Sequence, residues 1–157
     1  MNTPVEQAFV QNNQSADSGE LLIALKGVLP LHCILSRDEQ LRPYECDGLS
    51  LYRQKPMVVV LPETEVQIQA VLRICKNLNV PIVARGAGTG LSGGAMPHAQ
   101  GVLLGLAKFN RIKSIDAEAA IAVVEPGVRN LAVSEAVAHL GLHYAPDPSS
   151  QIACSIG

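Results

Sequence analysis

The stretch from Met57 to Gly94 constrains the fold more than any other part of the chain. Met57-Val-Val-Val-Leu61 is a short apolar, β-branched run ended by Pro62, the pattern of a buried strand. Thr64, with Gln67 three residues on, then opens a helix with a capping box. Ile68, Val71, Leu72, Cys75 and Leu78 recur at helical spacing and give that helix one apolar face; Asn79 ends it. Pro81-Ile-Val-Ala84 reads as the next strand. A strand–helix–strand unit of this kind is the usual way to set two strands side by side in parallel. It empties into Arg85-Gly-Ala-Gly-Thr-Gly-Leu-Ser-Gly-Gly94, which holds five glycines.

The flanks read more simply. Thr3 to Ser18 is polar and poorly patterned, the signature of a loose N-terminus. Glu20 to Val28 has helical spacing with Asp17 or Ser18 as cap, and Ser36 to Leu41 suggests a short helix opened by a Ser36/Glu39 capping box. Tyr44 to Lys55 is turn-like, punctuated by Asp47-Gly48. After a loop over Arg85 to Gln100, a strand is predicted at Gly101 to Ala107. A hairpin follows, over Ile112–Ile115 and Ala120–Val124, and then a helix over Asn130–Leu140 stopped by Gly141. Pro146 to Gly157 is loop-like.

The glycine stretch points to anion binding. Glycine permits positive φ and removes the Cβ that keeps a ligand away from the backbone. Successive free N–H groups then form a nest for an anion. Thr89 and Ser92 add hydroxyls, and Arg85 adds a positive charge suited to phosphate oxygens. Gly88-Thr-Gly-Leu-Ser-Gly93 matches GxGxxG, but a dinucleotide site of the Rossmann type also needs a helix at the third glycine and an acid after the next strand. Here Gly94-Ala-Met-Pro-His98 leads straight to a strand that ends in Ala107-Lys-Phe-Asn110. A P-loop is excluded, because no Lys-Ser/Thr follows the glycines. Glycines interleaved with Thr, Ser and Arg also argue against a turn with no ligand.

The order of motifs resembles the PCMH-type FAD-binding domain of the flavoproteins related to vanillyl-alcohol oxidase, an α+β fold. Pro81 to Gly94 is similar to that family's pyrophosphate loop. Val124-Glu-Pro-Gly-Val128 is similar to its Pro-Gly turn, and Pro146-Asp-Pro-Ser-Ser150 with Ser155-Ile-Gly157 to its second flavin-contacting segment. The resemblance covers roughly Tyr44 to the end and is nearest to FAD-linked 2-hydroxy-acid oxidoreductases of the glycolate oxidase and D-lactate dehydrogenase kind. It implies an N-terminal extension with short helices over 1–55. Over 56–157 it implies a partial FAD-binding domain, made of the βαβ subdomain and the start of the second subdomain, with the C-terminal remainder and the substrate domain absent.

It further implies that Arg85, Gly86, Ala87, Gly88, Thr89, Gly90, Leu91, Ser92 and Gly93 hold the FAD pyrophosphate. Pro148, Ser149 and Ser150 would line the ribityl and isoalloxazine side, and Gly157 would begin a further close approach. Pro126 and Gly127 would shape a turn beside the adenine. Covalent members of the group carry His where this loop has Thr89, so non-covalent FAD is expected. The acid-binding arginines and the base belong to the later substrate domain, so no catalytic residue is assigned. The implied reaction is oxidation of glycolate or D-lactate to the 2-oxo acid, with other subunits of a glycolate oxidase complex as partners. An inactive fragment or a complex-forming module without catalysis is the alternative.

Composition excludes other classes. A net charge of -2 gives no basic footprint for nucleic acid, and three Tyr, two Phe and no Trp leave no base-stacking platform. The apolar runs are far shorter than the roughly 20 residues a membrane-spanning helix needs, and Met1 to Gln14 lacks a signal-peptide pattern. The expectation is a cytoplasmic protein, held peripherally at the inner membrane if it joins a complex. Cys33, Cys46, Cys75 and Cys154 lack CxxC spacing and read as free thiols, with no metal site assigned. His32, His139 and His143 read as surface or packing residues and His98 as a neighbour of the loop, none paired with an acid in sequence.

Overall fold

The computed structural model describes residues 17–157. The loose start expected over Thr3–Ser18 and the absence of a signal pattern over Met1–Gln14 fall, up to residue 16, outside them. The chain runs α1 (Ser18–Lys26), β1 (Ile34–Leu35), α2 (Asp38–Leu41), β2 (Val58–Val60), α3 (Glu65–Asn77), β3 (Ile82–Arg85), β4 (Val102–Gly105), β5 (Ile112–Asp116), β6 (Ile121–Val124) and α4 (Asn130–Val137). The result is the expected α+β arrangement, with a four-stranded mixed sheet ordered β1-β2-β4-β3 and a separate β5–β6 hairpin.

The strand–helix–strand unit forms, with one difference in topology. β2 and β3 are parallel but not neighbours, because β4 inserts between them and pairs in parallel with both. The three valines of β2 and the Val102-Leu-Leu104 run of β4 are buried on both faces, and this suits the two central positions. β3 is only half-buried and takes the edge. At the opposite edge β1 pairs antiparallel with β2, Ile34 against Val60. Two residues are too few to show a period, so this strand was not legible in the sequence.

Local signals set the helix ends. Asp17 caps α1, its Oδ1 accepting from Gly19 N–H at 2.9 Å. Thr64 Oγ1 accepts from Gln67 N–H at 3.2 Å, and Gln67 Oε1 accepts from Glu63 N–H at 2.7 Å. α2 starts later than expected: Arg37, not Ser36, is its cap, and Arg37 N–H donates to Gln40 Oε1 at 3.2 Å. α4 ends at Val137; a single 3-10 turn carries the chain on to Gly141, which stands at φ 71°.

The main core lies between the sheet and the helices α1 and α3. Leu21, Leu25, Cys33, Val58, Val60, Val71, Cys75, Val102 and Leu104 meet there, each no more than 4% exposed. Residues before 56 therefore share a core with those after it. All four cysteines are free, Cys33 and Cys75 buried and Cys46 and Cys154 half-buried. Burial pushes the Cys75 thiol up to about 11, which keeps it unreactive. No helix among the described residues is long and apolar enough to cross a membrane.

Candidate functional site: the glycine loop

The loop leaves the C-terminal end of β3, at the edge of a parallel sheet where ligands commonly sit. Arg85 closes the strand: its backbone carbonyl accepts from Leu106 N–H at 2.8 Å. Its side chain turns under the loop instead of into solvent. Nη1 donates to the Cys46 carbonyl at 2.7 Å, and the guanidinium stands 5.7 Å from the Tyr44 ring centroid. Gly88 sits over that guanidinium at φ 70°, and a Cβ there would come within 2.5 Å of it. Gly86 is forced by a different contact, since a Cβ there would overlap the backbone carbonyl of Gly157. The two ends of the candidate site therefore touch backbone to backbone.

Three neighbours complete the surroundings. The Asp47-Gly48 turn packs on the carbonyls of Thr89 and Gly90. Asp47 is buried; its Oδ1 accepts from Leu49 N–H at 2.8 Å, while Oδ2 has no partner among the described residues. The Pro126-Gly127 turn lies behind the loop, where Gly127 N–H donates to the Phe109 carbonyl at 2.7 Å and Gly157 N–H to the Pro126 carbonyl at 2.8 Å. Ser155 links the segments: its Oγ accepts from Ala87 N–H and donates to the Gly157 carbonyl, both at 2.8 Å.

Between these pieces lies a cavity of about 400 Å³, lined by Gly86, Ala87, Asn110, Arg129, Ala153 and Ser155 among others. Among the described residues, the backbone N–H groups of residues 88–95 donate to no protein acceptor. They remain available to an anion. Arg129, exposed at the start of α4, gives the cavity a cationic side chain, a role that Arg85, engaged by Cys46, does not fill. The residues present fit an FAD pyrophosphate: unpartnered donors, hydroxyls at Thr89 and Ser92, and a glycine cradle that a Cβ would fill. A second hollow of about 240 Å³, mostly apolar, lies under the β5–β6 hairpin against α4.

The structure brings together Gly86, Ala87, Ser155 and Gly157. Thr89, Gly90, Leu91, Ser92 and Gly93 extend from that junction as half-buried or exposed loop. Pro148, Ser149 and Ser150 fall elsewhere, in a turn at the start of α4 outside the lining of the larger cavity. That turn is held by Gln151 N–H on the Pro148 carbonyl (2.9 Å), Cys154 N–H on the Ser150 carbonyl (2.7 Å) and Leu131 N–H on the Gln151 carbonyl (3.2 Å). Sequence reasoning passed over Asn110 and Arg129, which only the fold of the hairpin and α4 carries to the loop. Of the histidines, His98 Nδ1 accepts from Gln100 N–H at 3.1 Å, and His32 pairs with Glu63 across 31 positions of sequence.

Residues 56–157 match the family model for the FAD binding domain. The chain is 57% identical over 141 residues to the glycolate oxidase subunit GlcD of Escherichia coli strain K12, covering 90% of this chain and 28% of that protein. It is 30% identical to a D-lactate dehydrogenase of Anaerostipes hadrus, over 85% of this chain and 28% of the relative. The chain thus spans about a quarter of the length of these relatives. Among solved structures, p-cresol methylhydroxylase aligns with a TM-score of 0.71 at 27% identity, covering 85% of this chain and 26% of that one. Alkyldihydroxyacetonephosphate synthase aligns with a TM-score of 0.76 at 18% identity, over 88% and 28%, a likeness of fold. Fold, glycine loop and family match agree: this chain belongs to the FAD-binding domain family of PCMH-type, vanillyl-alcohol-oxidase-like flavoproteins.

Proposed function

We propose that this chain is the FAD-holding part of an FAD-linked oxidoreductase acting on a small 2-hydroxy acid, glycolate or D-lactate, within a multi-subunit glycolate oxidase. The observation that carries the reading is the run of unpartnered N–H groups over residues 88–95, which continues directly from Gly86 and Ala87 in the wall of the larger cavity. Arg85 to Gly93 hold the pyrophosphate, mainly by main-chain N–H groups and the Thr89 and Ser92 hydroxyls. In this arrangement Arg85 acts from beneath: it fixes Gly88 and ties the loop to Cys46. Pro148, Ser149 and Ser150, outside the pyrophosphate cavity, would line the ribityl and isoalloxazine side, and Gly157 would begin a further close approach. When bound, FAD supplies the hydride-accepting chemistry, while the chain supplies binding and orientation.

Thr89 stands where covalent relatives carry His, so attachment is non-covalent. Purified chain supplied with FAD is expected to show bound flavin absorbance and a raised melting temperature, and acid precipitation to release all flavin to the supernatant. A colourless protein whose melting is indifferent to FAD would sink the binding claim, and flavin in the acid pellet the non-covalent one.

A second reading, a complex-forming module without catalysis, is favoured by the outward apolar face of the hairpin, where Ile121 is 57% and Val123 48% exposed. It predicts assembly with partner subunits that is unchanged by FAD.

A further inference from the structure

A second cluster lies at the junction of β1, β2 and the segment after β4. Cys33 ends the 3-10 turn Leu31–Cys33 and is fully buried. Its N–H donates to the Pro30 carbonyl at 2.9 Å and its carbonyl accepts from Leu61 N–H at 2.8 Å. That second bond ties the start of β1 to the end of β2 and brings Glu63, two residues past Leu61, beside the turn. His32 Nε2 then lies 3.1 Å from Glu63 Oε1. The ligand atoms of His32, Cys33 and Glu63 all lie within 4.8 Å of one another. Lys108 reaches the same point from beyond β4, its Nζ 2.7 Å from Glu63 Oε1 and 3.6 Å from Cys33 Sγ.

We propose that His32 Nε2, Cys33 Sγ and Glu63 Oε1 form a site for a divalent transition metal of the zinc type, with the Lys108 ammonium as its exchangeable competitor. One imidazole, one thiolate and one carboxylate make a donor set that zinc accepts and that magnesium or calcium does not favour. Zinc-ligand bonds of about 2.0–2.3 Å put tetrahedral ligand atoms roughly 3.3–3.8 Å apart. The His32–Glu63 pair, at 3.1 Å, needs to open by only a few tenths of an ångström to reach that spacing. The sulfur is held by buried backbone, whereas the His32 and Glu63 side chains, 65% and 41% exposed, have the freedom to close on it. Lys108 shows that this spot stabilises a positive charge and that a group arriving from the surface reaches Sγ. With three protein ligands, a tetrahedral ion would take its fourth ligand from water once Lys108 withdraws. Sequence spacing gave no sign of this site, because Glu63 joins the adjacent His32-Cys33 pair only through the β1–β2 pairing. The site shares no residue with the glycine loop.

The test uses the tag-free chain and cobalt(II), whose thiolate complexes absorb in the near ultraviolet, followed by competition with zinc(II). The wild-type protein is expected to give a thiolate-to-cobalt band that one equivalent of zinc removes. Cys33→Ser should abolish the band. His32→Gln should weaken cobalt binding roughly tenfold or more, and Lys108→Met should strengthen it by a similar factor. Absence of the band in the wild type, its survival in Cys33→Ser, or unchanged affinity in His32→Gln or Lys108→Met overturns the assignment. His32 and Lys108 lie at the surface, so those two variants decide the matter even if Cys33→Ser does not fold.

Discussion

The central strands and the hairpin use similar residues to opposite ends. β2 and β4 are short valine and leucine runs, buried on both faces between parallel neighbours. β5 and β6 also carry Ile and Val, yet Ile115, Ile121 and Val123 are 38%, 57% and 48% exposed. The difference is one of layers. Helices α1 and α3 cover one face of the sheet, while the inner face of the hairpin lies against α4 and the terminal segment over a hollow of about 240 Å³. Apolar content makes a strand; only neighbouring elements make it core. The glycine loop leaves the sheet at the end of β3, and the cavity beside it takes Ile112 of the hairpin into its wall.

The largest effect is expected in the sheet. Leu103 is fully buried in β4, and Leu103→Ala should destabilise the chain by about 2–5 kcal/mol in denaturant unfolding. A loss below ~1 kcal/mol would mean that the central strand is not packed as described. Next comes the junction. Gly86→Ala places a methyl on the Gly157 carbonyl, so backbone must move; a loss of about 1–3 kcal/mol is expected, together with loss of the FAD-dependent rise in melting temperature. An intact FAD response would remove the Gly86–Gly157 contact from the site.

The hairpin's main polar anchor should appear as acid sensitivity. Glu125, 3% exposed, accepts from Arg111 Nη2 at 2.7 Å, Nε at 3.0 Å and N–H at 2.9 Å. The Arg111 side chain first, and its backbone N–H second, hold the Glu125 carboxyl below its usual range. A depressed folded value means that this stability is present above the ordinary glutamate range, near pH 4.3, and is lost as pH falls through the lower folded value. Glu125→Gln should flatten that part of the stability–pH curve, and an unchanged acid limb would assign the sensitivity to other carboxylates. Glu63, lowered by Lys108 and then by His32, has the same sign, so Glu63→Gln is the control. The smallest effect is expected on the outer hairpin face: Ile121→Ser should change stability by no more than about 0.5 kcal/mol. A larger loss would show that this face is covered in solution, by a second copy or a partner.

Much of this molecule is legible without coordinates. The 3.6-residue period of α3, its Thr64 cap, the β-branched run of β2 and the glycines after β3 are local signals, set by a few adjacent residues. They fix secondary structure because backbone geometry and capping act over one or two turns of chain. The same local reading singled out the glycine loop as the candidate site and, by the absence of a helix after Gly94, set aside a Rossmann site.

Tertiary structure decided the rest. It inserted β4 between β2 and β3, since strand order depends on which faces are buried and not on order in the chain. It added β1, too short to carry a pattern, and turned Arg85 beneath its own loop, because the Cys46 carbonyl and the Tyr44 ring arrive from 40 residues away in sequence. It set Gly157 on Gly86 and gathered His32, Cys33, Glu63 and Lys108 at one corner. Each of these joins residues far apart in the chain. Such contacts form only when buried apolar surface offsets the entropy of closing the loops between them, a balance struck over the whole fold and not within any single segment.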